Sequence, residues 1–327
     1  PVVATSGNLS DEPMATDERE ALSRLGGAAS WFLVHDRPIA RPVDDSVARI
    51  VDGREQVLRR ARGYAPAPVH GARPLPGGVL AAGAHLKSAV AISVGGAAVV
   101  SQHIGDLDTV PARGQYRATV ASLSALYGFV PARVACDLHP DYASSAFARS
   151  LGVPVTEVQH HLAHVLSLAA ENRLEPPLLG VAWDGTGRGT DGTVWGGEFI
   201  ALAADGWRRV AHLRPFPLPG GEAAVREPRR SALGMLYAVL GDAAFGPAGL
   251  AVTGNFQGQE LGIIRTMLSN SVNSPVTSSA GRLFDGFASL AGLSRKAAFE
   301  GAPAMALECA AAGYPGEDAY PVAITGE

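Results

Sequence analysis

His160 and His164 stand four residues apart in the run Gln159-His160-His161-Leu162-Ala163-His164. On a helix that spacing puts both imidazoles on one face, where they can hold a single metal ion. Downstream, an apolar stretch from Leu178 to Trp183 ends in a carboxylate, Asp184, and a glycine-rich segment, Gly185-Thr186-Gly187-Arg188-Gly189-Thr190-Asp191-Gly192. Glycines at that density let backbone N–H groups come close to phosphate. Metal and phosphate chemistry are therefore expected side by side, with Asp184 as the third ligand beside His160 and His164. Gly185, Thr186, Gly187, Gly189 and Gly192 are the expected nucleotide contacts. His161, on another face of the helix, and Asp191 are the expected catalytic side chains.

Competing chemistries fail on particular residues. The zinc-protease helix needs a Glu between its ligands as general base, and His161 occupies that position. Residues 187–192 formally match GxGxxG, but a dinucleotide-binding turn must open a helix. Here Thr193-Val194-Trp195-Gly196-Gly197-Glu198-Phe199-Ile200 follows, which is strand-like. No GxxxxGK[ST] occurs, so a P-loop is excluded. Strand, glycine turn, strand is instead the phosphate hairpin of the actin-like, sugar-kinase and heat-shock ATPase superfamily.

The elements that must position these groups can be read from periodicity. A helix is predicted over His160–Asn172, with strands over Leu178–Asp184, Thr193–Leu202 and Trp207–Leu213. Upstream come β runs Val79–Ala84, Ala89–Val94 and Ala97–Gln102, the last two joined by Gly95-Gly96. A helix Tyr116–Tyr127, a strand Arg133–Cys136, a helix Ser144–Leu151 and a strand Val155–Val158 follow. Nearer the start, a helix over Thr16–Leu25 and a strand over Trp31–His35 are predicted. The proline- and charge-rich stretch from Arg59 to Gly78 is the expected domain boundary. After Arg226 the pattern turns helical, through Leu261–Leu268 and Gly281–Leu293. The fold class is α/β: an actin-like, ribonuclease H-like lobe with helical additions and a mixed sheet.

Composition bounds the rest. The 327 residues are 47% hydrophobic, enough for a substantial core, and the net charge of −4 announces no nucleic-acid surface. Cys136 and Cys309 form no CxxC pair, which fits a reducing cytoplasmic setting. No apolar run is long enough to span a bilayer. Pro1-Val2-Val3-Ala4-Thr5 begins like a strand without an initiator Met, and Ala319–Glu327 stops inside a strand or loop. Both ends are expected to be artificial.

Longer motifs carry a resemblance. Thr5-Ser6-Gly7-Asn8, His35-Asp36-Arg37-Pro38, Arg59-Arg60-Ala61-Arg62-Gly63-Tyr64-Ala65-Pro66, Cys136-Asp137-Leu138-His139-Pro140, Asp184-Gly185-Thr186-Gly187, Trp195-Gly196-Gly197-Glu198 and Arg214-Pro215-Phe216-Pro217 through Arg226-Glu227-Pro228 resemble, in this order, the hydrogenase-maturation carbamoyltransferases of the HypF family. The resemblance covers nearly the whole chain. It implies a cytoplasmic enzyme that converts carbamoyl phosphate and ATP to carbamoyl adenylate. The carbamoyl group then passes to the C-terminal cysteine of the partner HypE, for the cyanide ligands of the [NiFe] centre.

The resemblance also implies a division of labour. Residues 1–68 read as the C-terminal part of a YrdC-like domain that makes the adenylate, and Ser6 and Asn8 match its Ser-x-Asn nucleotide contact. Residues 69–327 read as the metal- and nucleotide-binding carbamoyltransferase domain, incomplete at its C-terminal end. Gly281 falls where the related tRNA-modifying transferase lays a glycine against nucleotide, and Arg282 stands where that relative has Glu. The implied metal is divalent, iron or zinc, with magnesium or manganese also admitted. A fragment without the closing lobe is expected not to turn over on its own. Two alternatives stay open: an O-carbamoyltransferase acting on a small hydroxyl, and a non-catalytic nucleotide-binding or docking module.

Overall fold

The computed structural model describes residues 6–9 and 12–316, and the strand-like segments expected at 1–5 and 319–327 lie outside them. The chain divides into two compact units between Leu178 and Leu179.

The first unit begins with α1 (Glu18–Leu25), started by Asp17, whose carboxylate accepts from the amides of Arg19 and Glu20. Trp31–His35 is not a strand, contrary to the sequence reading: Trp31 and Leu33 are more than nine-tenths exposed, and the segment pairs with nothing in a sheet. An apolar run earns a strand only when a neighbour supplies ladder bonds and a face to cover it. A hairpin the sequence reading passed over follows, β1 (Val47–Val51) and β2 (Arg54–Arg59), turning at Asp52-Gly53.

The main sheet of this unit has six strands: β3 (Pro68–Val69), β4 (Val79–Ala81), β5 (Ala91–Val94), β6 (Ala97–Val100), β7 (Arg133–Asp137) and β8 (Val155–Val158). Their order is β3-β6-β5-β4-β7-β8, antiparallel from β3 to β4 and parallel from β4 through β7 to β8. Helix α2 (Val110–Tyr127) connects β6 to β7, capped by Thr109 and closed by Gly128 in the left-handed region at φ 57°. Helix α3 (Ala143–Ser150) connects β7 to β8. Leu80, Ile92, Val99, Val134, Tyr116 and Leu123 form the core beneath the sheet. The unit ends in α4 (His160–Glu171), which leaves β8 after one residue.

The second unit carries β9 (Leu178–Arg188), β10 (Val194–Ala203), β11 (Gly206–His212) and β12 (Phe216–Pro217). Then come α5 (Glu222–Arg226), α6 (Pro228–Leu240), two short 3₁₀ turns, α7 (Leu250–Thr253) and α8 (Gly258–Ser269). Strand β13 (Val276–Thr277) leads into α9 (Ala280–Leu290), and α10 (Ala302–Ala311) follows. The sheet runs β11-β10-β13-β12, with β9 also on β10. Leu233, Val252, Ile264 and Leu268 build the helical core. The mixed α/β class is as expected from sequence. Strand β9 does not stop at Asp184, however: it continues through Gly185, Thr186 and Gly187, so the turn proper is 189–193.

Candidate functional site

In the first unit, chemistry gathers where β7 ends and α4 begins. Parallel pairing sets Asp137, the last residue of β7, opposite Val158, the last of β8. Gln159 then caps α4, its Oε1 accepting from the amide of Leu162 at 2.9 Å. His161, Leu162, Val165 and Ala169 form the buried face of α4, which leaves His160 and His164 on the opposite side. Their Nε2 atoms stand 3.2 Å apart. Two nitrogens each about 2.0–2.1 Å from one tetrahedral cation would be roughly 3.3 Å apart, so the pair fits a shared metal.

His160 has a second partner. Its Nδ1 lies 2.6 Å from Oδ2 of Asp137, whose side chain is 5% exposed. The other oxygen of Asp137 accepts the amide of His139 at 2.8 Å. The histidine pair borders a depression of about 460 Å³, walled otherwise by small residues including Ala81, Gly83, Ala84 and Ala135. His161 is fully buried, and its Nδ1 is 3.1 Å from Nε2 of Gln159. That placement makes it a packing and helix-start residue rather than one presented to substrate.

In the second unit, β9 and β10 form the expected hairpin. Gly189 N–H donates to Thr193 at 2.9 Å, and Gly192 sits at φ +79°, a conformation that favours glycine. Asp191 braces this turn: its Oδ1 accepts from Thr193 N, Thr193 Oγ1 and Trp195 Nε1, and its Oδ2 from Arg209. Burial alone would raise the Asp191 carboxyl, but the hydrogen bonds from Thr193 and Trp195 and the Arg209 charge hold it below the usual aspartate value. A carboxylate so engaged suits a brace more than a proton carrier.

Arg209 links this turn to a buried carboxylate. Its guanidinium lies 4.1 Å from the Trp195 ring and donates through Nε to Glu198 and through Nη2 to Ser278. Glu198 is fully buried and also accepts from Gly196 N, Gly197 N and Ser278 Oγ. Desolvation pushes the Glu198 carboxyl up, and these donors together bring it below its ordinary value.

Helix α9 closes on the hairpin. Ser279 caps it, accepting from Arg282 N, while its one hydroxyl proton is shared between the carbonyls of Asp184 and Gly185, 2.9 and 2.8 Å away. A Cβ on Gly281 would fall 2.8 Å from Gly185 Cα, so helix and strand meet backbone to backbone. Gly185 N–H donates to Asp184 Oδ1 at 2.7 Å. A helix N-terminus resting on a glycine-bearing strand is a favourable place for phosphate.

One turn into α9, Arg282 and Asp285 form a buried ion pair at 3.0 Å. Desolvation, opposed by Arg282 and reinforced by Glu300, pushes the Asp285 carboxyl up to about 6 from its ordinary 3.8. A carboxyl that holds its proton more tightly when folded stabilises fully below the unfolded value and loses that contribution as pH rises to the folded one. Between about pH 4 and pH 6, Asp285 therefore costs roughly 3 kcal/mol of stability, and Asp285→Asn should flatten that slope in urea titrations across the window.

Ser6 and Asn8 lie in the first unit, Ser6 Oγ donating to Asn8 Oδ1 at 2.5 Å and Asn8 Nδ2 to Glu12 O at 3.1 Å. With Asp44, Arg59, Lys87 and His103 they line a polar cavity of about 330 Å³. Burial holds the His103 imidazole below its ordinary value, against the pull of Asp44.

Comparison with known proteins places these features in a family. A family model described as "HypF Kae1-like domain" matches residues 75–171, and one described as "Carbamoyltransferase, Kae1-like Domain, second subdomain" matches 180–327. A Sua5/YciO/YrdC model, described as "Telomere recombination", matches 1–61. Carbamoyltransferase HypF of Synechocystis sp. is 45% identical over 99% of this chain and 44% of its own length. That of Rhizobium leguminosarum bv. viciae is 41% identical over 96% of this chain and 41% of its own. The chain belongs to the HypF family. A crystal structure of full-length HypF in a phosphate- and nucleotide-bound form superposes with a TM-score of 0.91 at 38% identity, over 99% of this chain and 50% of that one. That of HypF from T. kodakarensis gives 0.88 at 33% identity, over 99% and 43%. This chain thus spans about half the length of the HypF proteins it matches.

Within this HypF-family chain, the structure brings His160 and His164 together in the first unit. It gathers Gly185, Thr186, Gly187, Gly189, Asp191, Gly192 and Gly281 around the hairpin and α9 of the second. Asp184 stands in β9, between Trp183 and Gly185, with its carbonyl held by Ser279. Asp137 enters the sequence reading only as part of the Cys136–Pro140 motif, with no role in the site. Its signal was a carboxylate closing a strand, just ahead of His139-Pro140 and one parallel neighbour from the histidine helix.

Proposed function

We propose that this chain carries the carbamoyl-transfer machinery of a HypF protein, with residues 1–68 as the tail of the YrdC-like adenylate-forming domain and 69–327 as the transferase. The observation that carries the reading is the 3.2 Å approach of His160 and His164 beside a buried carboxylate. These imidazoles would hold a divalent cation, iron or zinc by donor type, and the sequence pattern assigns Asp184 as the carboxylate ligand. When bound, the cation supplies positive charge to offset the anionic charge that develops in acyl transfer.

The chain's own residues do the rest. The α9 N-terminus and the glycine-bearing segment from Gly185 to Gly192 seat the phosphate of ATP or carbamoyl adenylate. Asp191 and Glu198 keep that hairpin in shape through Arg209. Ser6 and Asn8 contact nucleotide in the adenylate-forming part. The acceptor thiolate, on the C-terminal cysteine of HypE, attacks the carbamoyl carbon. A C–S bond forms, the C–O bond to the phosphate breaks, and AMP leaves with the electron pair.

The cytoplasmic setting that the family resemblance implies is one where cysteines stay reduced. No helix among the described residues is long and apolar enough to cross a membrane. Both cysteines are free thiols, Cys136 buried and Cys309 exposed.

Gly281→Ala tests the phosphate seat. The added methyl would push α9 off β9 at 2.8 Å, costing about 1–3 kcal/mol of stability as overpacking does. Nucleotide affinity, measured by calorimetry, should fall more than tenfold; an unchanged affinity places the phosphate elsewhere. Transfer is tested by supplying the intact protein with carbamoyl phosphate, ATP and HypE and finding the carbamoyl adduct by mass spectrometry. The adduct should vanish when the last cysteine of HypE is serine. Modification of a small hydroxyl acceptor with HypE untouched would favour the O-carbamoyltransferase instead.

A further inference from the structure

We propose that Asp137 is the positioning residue of the metal centre, setting the tautomer and aim of His160. The inference rests on the reading of His160 and His164 as ligands. The carboxylate lies 2.6 Å from Nδ1 of His160. An ionised carboxylate only accepts, so this contact places the imidazole proton on Nδ1 and the lone pair on Nε2. Nε2 is the atom that faces Nε2 of His164 at 3.2 Å. The ligand lone pair is thus directed by a residue that never touches the metal.

Asp137 is itself held. One oxygen accepts the His139 amide at 2.8 Å, and its carbonyl accepts from Ser145 Oγ at 3.1 Å. The neighbouring amide of Leu138 donates to Val158 O at 3.0 Å, tying the end of β7 to the end of β8 just before α4. The carboxylate at the end of β7 and the imidazole at the start of α4, two residues beyond the end of β8, are therefore joined through strands locked in register, with little freedom to drift apart. Such an outer partner fixes ring orientation and raises ligand basicity, and its loss typically costs about 10- to 100-fold in metal affinity.

The rival explanation is a structural ion pair that stabilises α4 and leaves metal binding alone. Cobalt(II) titration of the full chain, read by its visible absorption, separates the two. Asp137→Ala should weaken cobalt affinity about 10- to 100-fold, and Asp137→Asn, which keeps an acceptor for Nδ1–H, should lie between it and the wild type. Nitrogen-15 spectra of the metal-free protein give a readout that mere stability would not move. His160 should be the Nδ1–H tautomer in the wild type and a mixture or the Nε2–H form in Asp137→Ala. Circular dichroism confirms that each variant is folded, and the Asn variant serves if the Ala variant is not.

Unchanged cobalt affinity and an unchanged tautomer in a folded Asp137 variant would overturn the proposal. If His164→Ala also leaves cobalt affinity unchanged, it is the metal reading that has failed. If His164→Ala abolishes binding while Asp137 variants do not alter it, only the positioning role falls.

Discussion

His164→Ala in the intact protein should abolish carbamoyl transfer to the acceptor thiol while leaving carbamoyl-adenylate formation intact. His164 is exposed on α4 and presents Nε2 to His160, so removing it halves the imidazole pair without disturbing the buried face of the helix formed by His161, Leu162, Val165 and Ala169. With one imidazole gone, His160 and the proposed carboxylate ligand hold a divalent ion weakly, and transfer then lacks the charge that offsets the developing oxyanion. Loss of one electrostatic stabiliser of that kind costs on the order of 100-fold or more in rate. In the proposed division of labour, adenylate formation falls to the YrdC-like domain. The two half-reactions can be followed separately, as ATP cleavage in the presence of carbamoyl phosphate and as label on the acceptor. Equal loss of both would mean that the variant had unfolded or that the domains do not divide the work as proposed.

Glu198→Ala should have the largest effect on stability. Glu198 is fully buried and satisfies Arg209, Ser278 and the amides of Gly196 and Gly197 at once. Removing it takes from the largely buried Arg209 guanidinium one of its two carboxylate partners, Asp191 being retained, and leaves Ser278 and the amides of Gly196 and Gly197 without their acceptor. Breaking a buried pair from one side costs about 3–5 kcal/mol. Glu198→Gln keeps shape and some of the hydrogen bonds and should cost less. Because the carboxyl is held below its ordinary value, its contribution is present above the unfolded glutamate value and fades as pH falls through the folded one. This is the opposite sense to Asp285. Denaturant titration of the two variants near pH 7 checks the magnitude, and a loss below about 1 kcal/mol would show that water replaces the carboxylate at little cost.

The sequence was most legible where a residue type has one strong structural use. Histidines four apart with apolar residues between them read as one face of a helix, and α4 starts at His160. Glycine density between two β-patterned runs read as a turn between strands. What it overstated was the loop: local pattern cannot tell that β9 carries on through Gly185-Thr186-Gly187, because the pairing that sustains it is supplied by β10. Trp31–His35 erred in the same way, since alternation and aromaticity say what a strand would look like and not whether a neighbour exists. The β1–β2 hairpin was the reverse case. Its Asp52-Gly53 turn, with both residues at positive φ, is a strong local signal, yet the sequence reading assigns no element between His35 and the Arg59–Gly78 boundary.

Roles were harder to read than elements. Asp191 in a glycine-rich turn has the composition of a catalytic carboxylate, but its four donors come from Thr193, Trp195 and Arg209, two of which are on other strands. Asp137 needed the pairing of β7 with β8 to bring it to His160 from 23 positions away in sequence. The Asp137 contact depends on the register of β7 with β8, and of the Asp191 contacts only that of Arg209, 18 positions on, depends on strand pairing.

The proposed role of His160 and His164 is to grip one divalent cation through Nε2. X-ray absorption at the zinc edge, on the full chain loaded with one equivalent of zinc, measures this directly. The account predicts two imidazole nitrogens at about 2.0–2.1 Å, both lost from a folded His160→Ala, His164→Ala double variant. A spectrum with oxygen scatterers only, or one that the double variant leaves unchanged, would contradict it.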